Sequence, residues 1–380
     1  ENDSTDTKNK KEHKEEFTLK QGFWRGSLSI DSLRSIPFTF EVLKDSIYFI
    51  NAEERLGAAL EENDEGLLFV KMPVFDSEFR FEKNGNDVLK GSWHNKAKGE
   101  DYRMSFSALY TNESLIRFDK SDSLTKFNQI DGKWETTFSS GSSEAYKAVG
   151  LFEEGNESVF GTFLTETGDY RFLEGNVFND SLFLSCFDGS HAFLFEASFK
   201  GDSLVGRFYS GNHYQDSWEA FRNESFELSN PDSLTRLNIG VDLAFELPSL
   251  GNDFVTFPSD KYKDKVVIIQ VMGSWCPNCM DETQLFTDMY DFYHEKGLEV
   301  IAVAFEKPES LEGKQERVEG LKKFFKADYD FAIGGGASKV EAQKVIPALD
   351  NILSFPTAIF IDRKGKVRKI HTGFYGPGTG

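Results

Sequence analysis

Cys276 and Cys279 stand three positions apart in Trp275-Cys276-Pro277-Asn278-Cys279, and they are two of only three cysteines in 380 residues. The segment follows the apolar run Val266-Val267-Ile268-Ile269-Gln270-Val271 and opens a helical pattern. Two thiols at that spacing can close a small disulfide ring and reopen it. A helix N-terminus carries about half a positive charge, which favours a thiolate, and the thiolate is the nucleophile of disulfide exchange. The pattern therefore points to dithiol/disulfide redox chemistry. A zinc site would need a second ligand pair. Cys186 has no such partner, and His191, His213, His294 and His371 are scattered without ligand spacing. No metal is expected. Cys186 sits in a β-like run and reads as a core hydrophobe. Gly334-Gly335-Gly336 lacks the Lys-Ser/Thr of a phosphate loop and reads as a flexible bend.

Positioning such a dithiol requires a strand to lead in and a helix to lead out. The pattern supplies a strand at 266–271 and a helix at 277–296, ended by Gly297. The apolar face of that helix reads as Leu285, Phe286, Met289, Phe292 and Tyr293. A buried strand at 300–304, a helix near 309–326, a strand at 329–333 and a short helix near 337–346 follow. Thr357–Ile361 and 367–371 form a hairpin across Asp362-Arg363-Lys364-Gly365. Strand–helix–strand followed by a hairpin predicts a mixed sheet with a parallel part.

The first half is written differently. Residues 17–226 are rich in Phe, nearly free of Pro, and built of short alternating runs such as Phe38-Thr39-Phe40-Glu41-Val42 and Phe79-Arg80-Phe81. Alternation of this kind is the signature of half-buried strands. Asp-Ser-Leu recurs at Asp31, Asp122, Asp180, Asp202 and Asp232, where Asp-Ser suits a turn. An all-β sandwich or barrel is expected. A weak duplication is visible. Phe79–Glu82 with Leu89–Trp93 resembles Phe193–Glu196 with Leu204–Phe208, and Trp24 and Trp134 open the two halves, although Asp45–Ile47 and Asp180–Leu182 break the register. Residues 227–238, containing Asn230-Pro231, read as a linker, and 239–380 as the redox domain.

The formal charge is −20, from 63 acidic and 43 basic residues, which disfavours nucleic acid as a partner. No apolar run approaches the ~20 residues that span a bilayer. The first sixteen residues are almost all polar or charged and read as a disordered tether. A start at Glu1 rather than Met fits removal of an export signal, so a lipid anchor at that end is among the expectations.

From about Ile239 onward the chain resembles the TlpA/ResA-like branch of the thioredoxin superfamily, also called redoxin or peroxiredoxin-like. The segments that carry the resemblance are Phe245–Gly251, Lys263–Ile268, the Trp275–Cys279 motif, Ser354-Phe355-Pro356-Thr357 and Asp362–Val367, in that order. The resemblance implies a thioredoxin fold. It makes Cys276 the attacking thiolate, Cys279 the resolving thiol and Pro356 a cis-proline that sets the backbone of Phe355 beside the dithiol. Trp275, Pro277, Phe355 and Pro356 form the implied substrate-contacting set. Thioredoxins proper carry a buried Asp where this chain has Gln270. TlpA/ResA-like proteins instead carry a Glu three residues after the second cysteine, and Glu282 matches it; spacing places it on the helix face of Cys279. Asp281 reads as surface. The family ordinarily continues with one more helix beyond the position of Gly380.

The sequence thus predicts two domains, an N-terminal all-β sandwich or barrel and a C-terminal α/β thioredoxin fold. The implied activity is thiol–disulfide exchange with protein substrates in the periplasm or cell envelope, in the reductive direction. It uses no cofactor beyond the Cys276–Cys279 disulfide and is served by a membrane or periplasmic electron donor. Two other readings stand beside it: a thiol peroxidase, disfavoured by Gly273 and the lack of a nearby Arg, and an envelope-binding β module with an accessory redox domain.

Overall fold

Alternating side chains in the first half pair into closed rings, because a strand that buries every second residue must find a neighbour on both edges. In the computed structural model, residues 19–111, 116–118, 130–155 and 157–379 are described. The tether at 1–16 and the Asp122 turn lie outside them. Eight strands, from Gly22–Ser29 to Arg103–Tyr110, follow one another antiparallel around a closed barrel. Trp24 opposite Tyr110 closes it. Trp24, Phe38, Phe40, Phe79 and Trp93 fill its interior.

A second, nine-stranded sheet spans Gly132–Phe138 to Tyr214–Arg222. It also closes on itself, since Gly132–Phe138 pairs with Tyr214–Arg222 on one edge and with Tyr146–Glu154 on the other, and Tyr146–Glu154 pairs onward with Val159–Thr165. The two-residue strand Gly168–Asp169 hangs outside this ring on Val159–Thr165. Both rings begin alike. Trp24 Nε1 donates to Lys20 O at 3.0 Å, and Trp134 Nε1 to Ile130 O at 2.8 Å, each reaching four residues back. The rings lie against each other through buried polar contacts. Arg117 bonds Glu174 and Ile50 O, both at 2.6 Å, and Asn51 donates to Phe187 O at 2.8 Å.

The connector is not loose. Asn230 caps a short turn at Pro231–Ser233, Thr235 bonds Thr372 at 2.8 Å, and Asn238 N donates to Ala348 O at 2.8 Å. It is thereby laid along the last sheet. A small hairpin, Phe245–Pro248 with Phe254–Phe257, precedes that sheet.

The sheet itself has five strands in the order Asp330–Gly336, Leu298–Glu306, Val266–Met272, Thr357–Ile361, Val367–Thr372. The first three are parallel and the last two antiparallel. Helices α1 (Pro277–Tyr293) and α2 (Leu311–Phe325) pack beside the central strands, and α3 (Lys339–Val345) lies next to Asp330–Gly336.

Three details differ from the sequence reading. Helix α1 ends at Tyr293, and a 3₁₀ turn, His294–Lys296, carries the chain to Gly297 at φ 93°. The buried face of α1 is Cys279, Met280, Thr283, Phe286, Thr287 and Tyr290, whereas Leu285, Phe292 and Tyr293 are exposed. Lastly, Gly334–Gly336 ends a strand rather than forming a free bend, and a Cβ on Gly334 would meet the Phe305 ring at 2.4 Å.

Candidate active site

Cys276 is the N-cap of α1, and Pro277 takes the first helical position, where a missing N–H costs nothing. The Cys279 amide donates to Cys276 Sγ at 3.2 Å, so one of the orphan donors of the helix start is spent on the sulfur. A thiolate accepts such a bond more strongly than a thiol does. On its other side Cys276 Sγ lies 3.4 Å from Phe355 O, and the Phe355–Pro356 bond is cis. The Trp275 ring meets that of Phe355 edge-on at 5.6 Å, and its Nε1 donates to Phe305 O at 2.9 Å. Glu306 fixes the turn into the motif, accepting from both the amide and the hydroxyl of Ser274 at 2.6 Å. Burial pushes the Glu306 carboxyl up to about 7.

Cys279 is fully buried one turn into the helix. Burial first, then the neighbouring Cys276 and the charge of Glu282, push its thiol well above the ordinary range. Glu282 is only 1% exposed, which excludes a solvated helix glutamate. Desolvation raises its carboxyl to about 8, partly opposed by Gln270, whose Nε2 donates to Glu282 Oε2 at 3.0 Å. The same amide reaches Thr283 Oγ1 at 3.2 Å. Gln270, Cys279 and Glu282 thus form one buried polar group beneath the dithiol. Among the residues of the implied substrate-contacting set, Trp275 and Phe355 are half-buried, and Pro277 and Pro356 are buried. Cys186 is buried in the core of the second ring. Among the described residues no cluster of His, Cys, Asp and Glu is arranged for a metal, and no helix is long and apolar enough to cross a membrane.

The sequence profile of the Redoxin family matches residues 241–377. The thiol-disulfide oxidoreductase ResA of Geobacillus thermodenitrificans is 30% identical over 112 residues, which is 30% of this chain and 57% of that protein. The thioredoxin-like protein YneN of Bacillus subtilis is 32% identical over 111 residues, 29% of this chain and 58% of that one. StoA from Bacillus subtilis superposes with a TM-score of 0.28 at 24% identity, covering 36% of this chain and 92% of that structure. Residues 241–377 thus match the Redoxin family and are similar to ResA and YneN over much of that stretch. The chain spans just over half the length of the curated relatives it matches.

The redoxin domain does not stand apart from the β half. Asn278, between the two cysteines, donates to Asp169 Oδ1 at 3.1 Å and to Phe374 O at 3.0 Å. Asp169 also accepts from Gly376 N at 2.6 Å. Ser354, two residues before the cis-proline, donates to Thr167 O at 3.0 Å. Arg171 is ion-paired with Asp281 of α1 and, at 2.5 Å, with Glu54 of the first ring; Asp188 stands 3.9 Å away. Asp281 is therefore not a free surface residue. Burial, eased by Arg171, raises its carboxyl to about 7. None of Thr167, Asp169 and Arg171 could be found from sequence. The one signal is that Gly168-Asp169-Tyr170-Arg171 interrupts the alternation of the strands, and nothing local identifies a partner over a hundred residues away.

Proposed function

We propose that this chain is a thiol–disulfide oxidoreductase that exchanges its Cys276/Cys279 dithiol with disulfides of polypeptide substrates, in the reductive direction. The observation that carries the reading is the arrangement of Cys276 as N-cap, bonded by the Cys279 amide, over a buried Cys279–Glu282–Gln270 group.

The Cys276 thiolate attacks one sulfur of the substrate disulfide. A mixed disulfide forms, and the other substrate sulfur leaves as a thiolate that takes a proton from solvent. Cys279 must then lose its proton while buried, which is costly without an acceptor nearby. Glu282, with its carboxyl raised toward 8, is the base that fits this demand. The Cys279 thiolate attacks Cys276 Sγ, closes the intrachain disulfide and releases the second substrate thiol. Two electrons pass to the substrate, and an external dithiol donor restores the reduced chain. Trp275, Phe355 and Pro356 line the approach to Cys276.

The likeness to ResA-like proteins supports placing this reaction outside the cytoplasm, in the periplasm or envelope, served by a membrane or periplasmic donor. The β half and the redoxin domain form the two functional parts of the molecule. The test is a pair of variants on a peptide disulfide. Cys276→Ser abolishes turnover and forms no adduct, while Cys279→Ser accumulates a mixed disulfide at Cys276. Adduct formation by Cys276→Ser at Cys279 would reverse the two roles, and full turnover by either variant would remove the proposal.

A further inference from the structure

Cys276 is only 7% exposed, although it caps a helix tip, the position from which a nucleophilic thiol ordinarily meets its partner. The β half packs beside it. Val74 and Phe75 of the first ring pack against the cluster that holds Cys276 and Met280. Gly189 sits so close behind Phe75 that a Cβ there would meet its ring at 3.2 Å. The next residue, Ser190, reaches Trp275 O at 3.4 Å. On the other flank Thr167 is held by Ser354, and Asp169 by Asn278 and Gly376. These contacts fall on the motif, the cis-proline loop and the segment after the last strand, which together make up the reactive face of the redoxin domain.

A folded protein partner ordinarily needs about 800 Å² of contact surface on each side. On this face the motif, the cis-proline loop and the segment after the last strand are already in contact with the β half. Beside the motif a cleft of about 640 Å³ reaches Asn278 from the second ring, lined by Tyr146, Lys147, Glu166 and Tyr170. Its size is that of clefts that take small ligands or a few residues of extended chain.

We infer that the β half is a substrate filter: its Phe75, Thr167–Asp169 and Ser190 complete the wall around Cys276 and admit disulfides on slim, flexible chains while excluding disulfides set in a folded surface. Asp169 is a positioning and selecting residue in this arrangement, not a catalytic one. The inference rests on the exchange reading above, and the experiment separates the two.

Full-length reduced protein is reacted with N-ethylmaleimide and with the same maleimide carried on a long polyethylene glycol chain, and mass spectrometry locates the label. The filter predicts that the bulky reagent labels Cys276 slower by about tenfold or more, after correction with an unhindered thiol. Equal corrected rates overturn the filter whatever the activity. In parallel, kcat/KM is measured for a short flexible peptide disulfide and for a folded protein with one surface disulfide. The filter predicts preference for the peptide by about a hundredfold, with the ratio falling in Asp169→Ala. Comparable rates on both substrates, or an unchanged ratio in a folded Asp169→Ala protein, overturn it and leave the exchange reading intact. Turnover of neither disulfide removes the exchange reading, and the labelling ratio still decides the wall.

Discussion

Asn278 and Asp169 are hydrogen-bonded side chain to side chain at 3.1 Å, across 109 residues of sequence. One lies between the two cysteines, the other in the two-residue strand that hangs outside the second β ring. The dipeptide of a CxxC motif is ordinarily discussed for its effect on the thiols alone. Here it is also a docking point.

Gly168 makes that docking feasible. Its φ is +146°, and a Cβ would meet Asn278 Nδ2 at 2.9 Å and Phe374 O at 3.4 Å. Gly168→Ala should cost about 1–3 kcal/mol, from the backbone conformation and the lost contact together. Thermal unfolding measures this. An unchanged midpoint would mean that the turn can back away without loss.

Arg171 balances a cluster of buried carboxylates. Replacing it with Met should destabilise the fold by about 3–5 kcal/mol near pH 8, since Glu54 and Asp281 would be left buried without a cation. The loss should be smaller at pH 5, because Asp281, already raised to about 7 with Arg171 present, rises further without it and becomes neutral. Denaturant titrations of both proteins at the two pH values test the sign. A loss that grows at low pH would contradict this account.

Glu282 offers a cleaner linkage test. Its folded carboxyl is raised to about 8 from an ordinary value of 4.5. Stability from this group is thus complete below about pH 4.5 and is lost as pH rises through about 8. Glu282→Gln should flatten the stability–pH curve across that window. It should also slow release of product from the mixed disulfide by about tenfold or more, if the carboxylate takes the Cys279 proton. Parallel curves for the two proteins would place the titration elsewhere.

The β half has two closed rings, each with its own aromatic core. Residues 19–226 alone should therefore keep a β-type circular-dichroism spectrum and a cooperative melt, with no thiol–disulfide activity. A helical spectrum, or failure to fold without the redoxin domain, would show that the rings depend on the sheet they cover.

What was legible in the sequence is what is local. The strand, the dithiol and the helix start are contiguous from Val266 to Cys279, and Ser354–Thr357 is recognisable as a unit. The mixed sheet and the thioredoxin fold follow from the order of such units. The inward face of α1 departs in part from its apolar stripe for a physical reason. Of the apolar stripe Leu285, Phe286, Met289, Phe292 and Tyr293, only Phe286 and Met289 pack inward, and the rest of the inward face carries Thr283 and Thr287. Those threonines bury cheaply because each hydroxyl has a partner, Gln270 for Thr283 and Thr283 O for Thr287. Asp281 was misread because its cation, Arg171, comes from another part of the chain. The wall around Cys276 was invisible for the same reason: each of its contacts joins residues too far apart for spacing to reveal.

The edge strand Val367–Thr372 touches both attachments of the β half. His371 and Thr372 hold the connector through Asp232 and Thr235, and the residues directly after the strand, Gly373 to Gly376, meet Thr167 and Asp169. The last two residues of the strand and the four that follow it therefore set the distance between the point where the β half enters and the point where it reaches the dithiol. A deletion of one residue at the end of the strand would shorten that distance by up to about 3.3 Å and turn the following side chains to the opposite face. Length in this strand is consequently under tighter constraint than composition. Of its exposed side chains, Lys369 adds an ion pair to the same Asp232 at 3.0 Å, so the strand end holds the connector by charge as well.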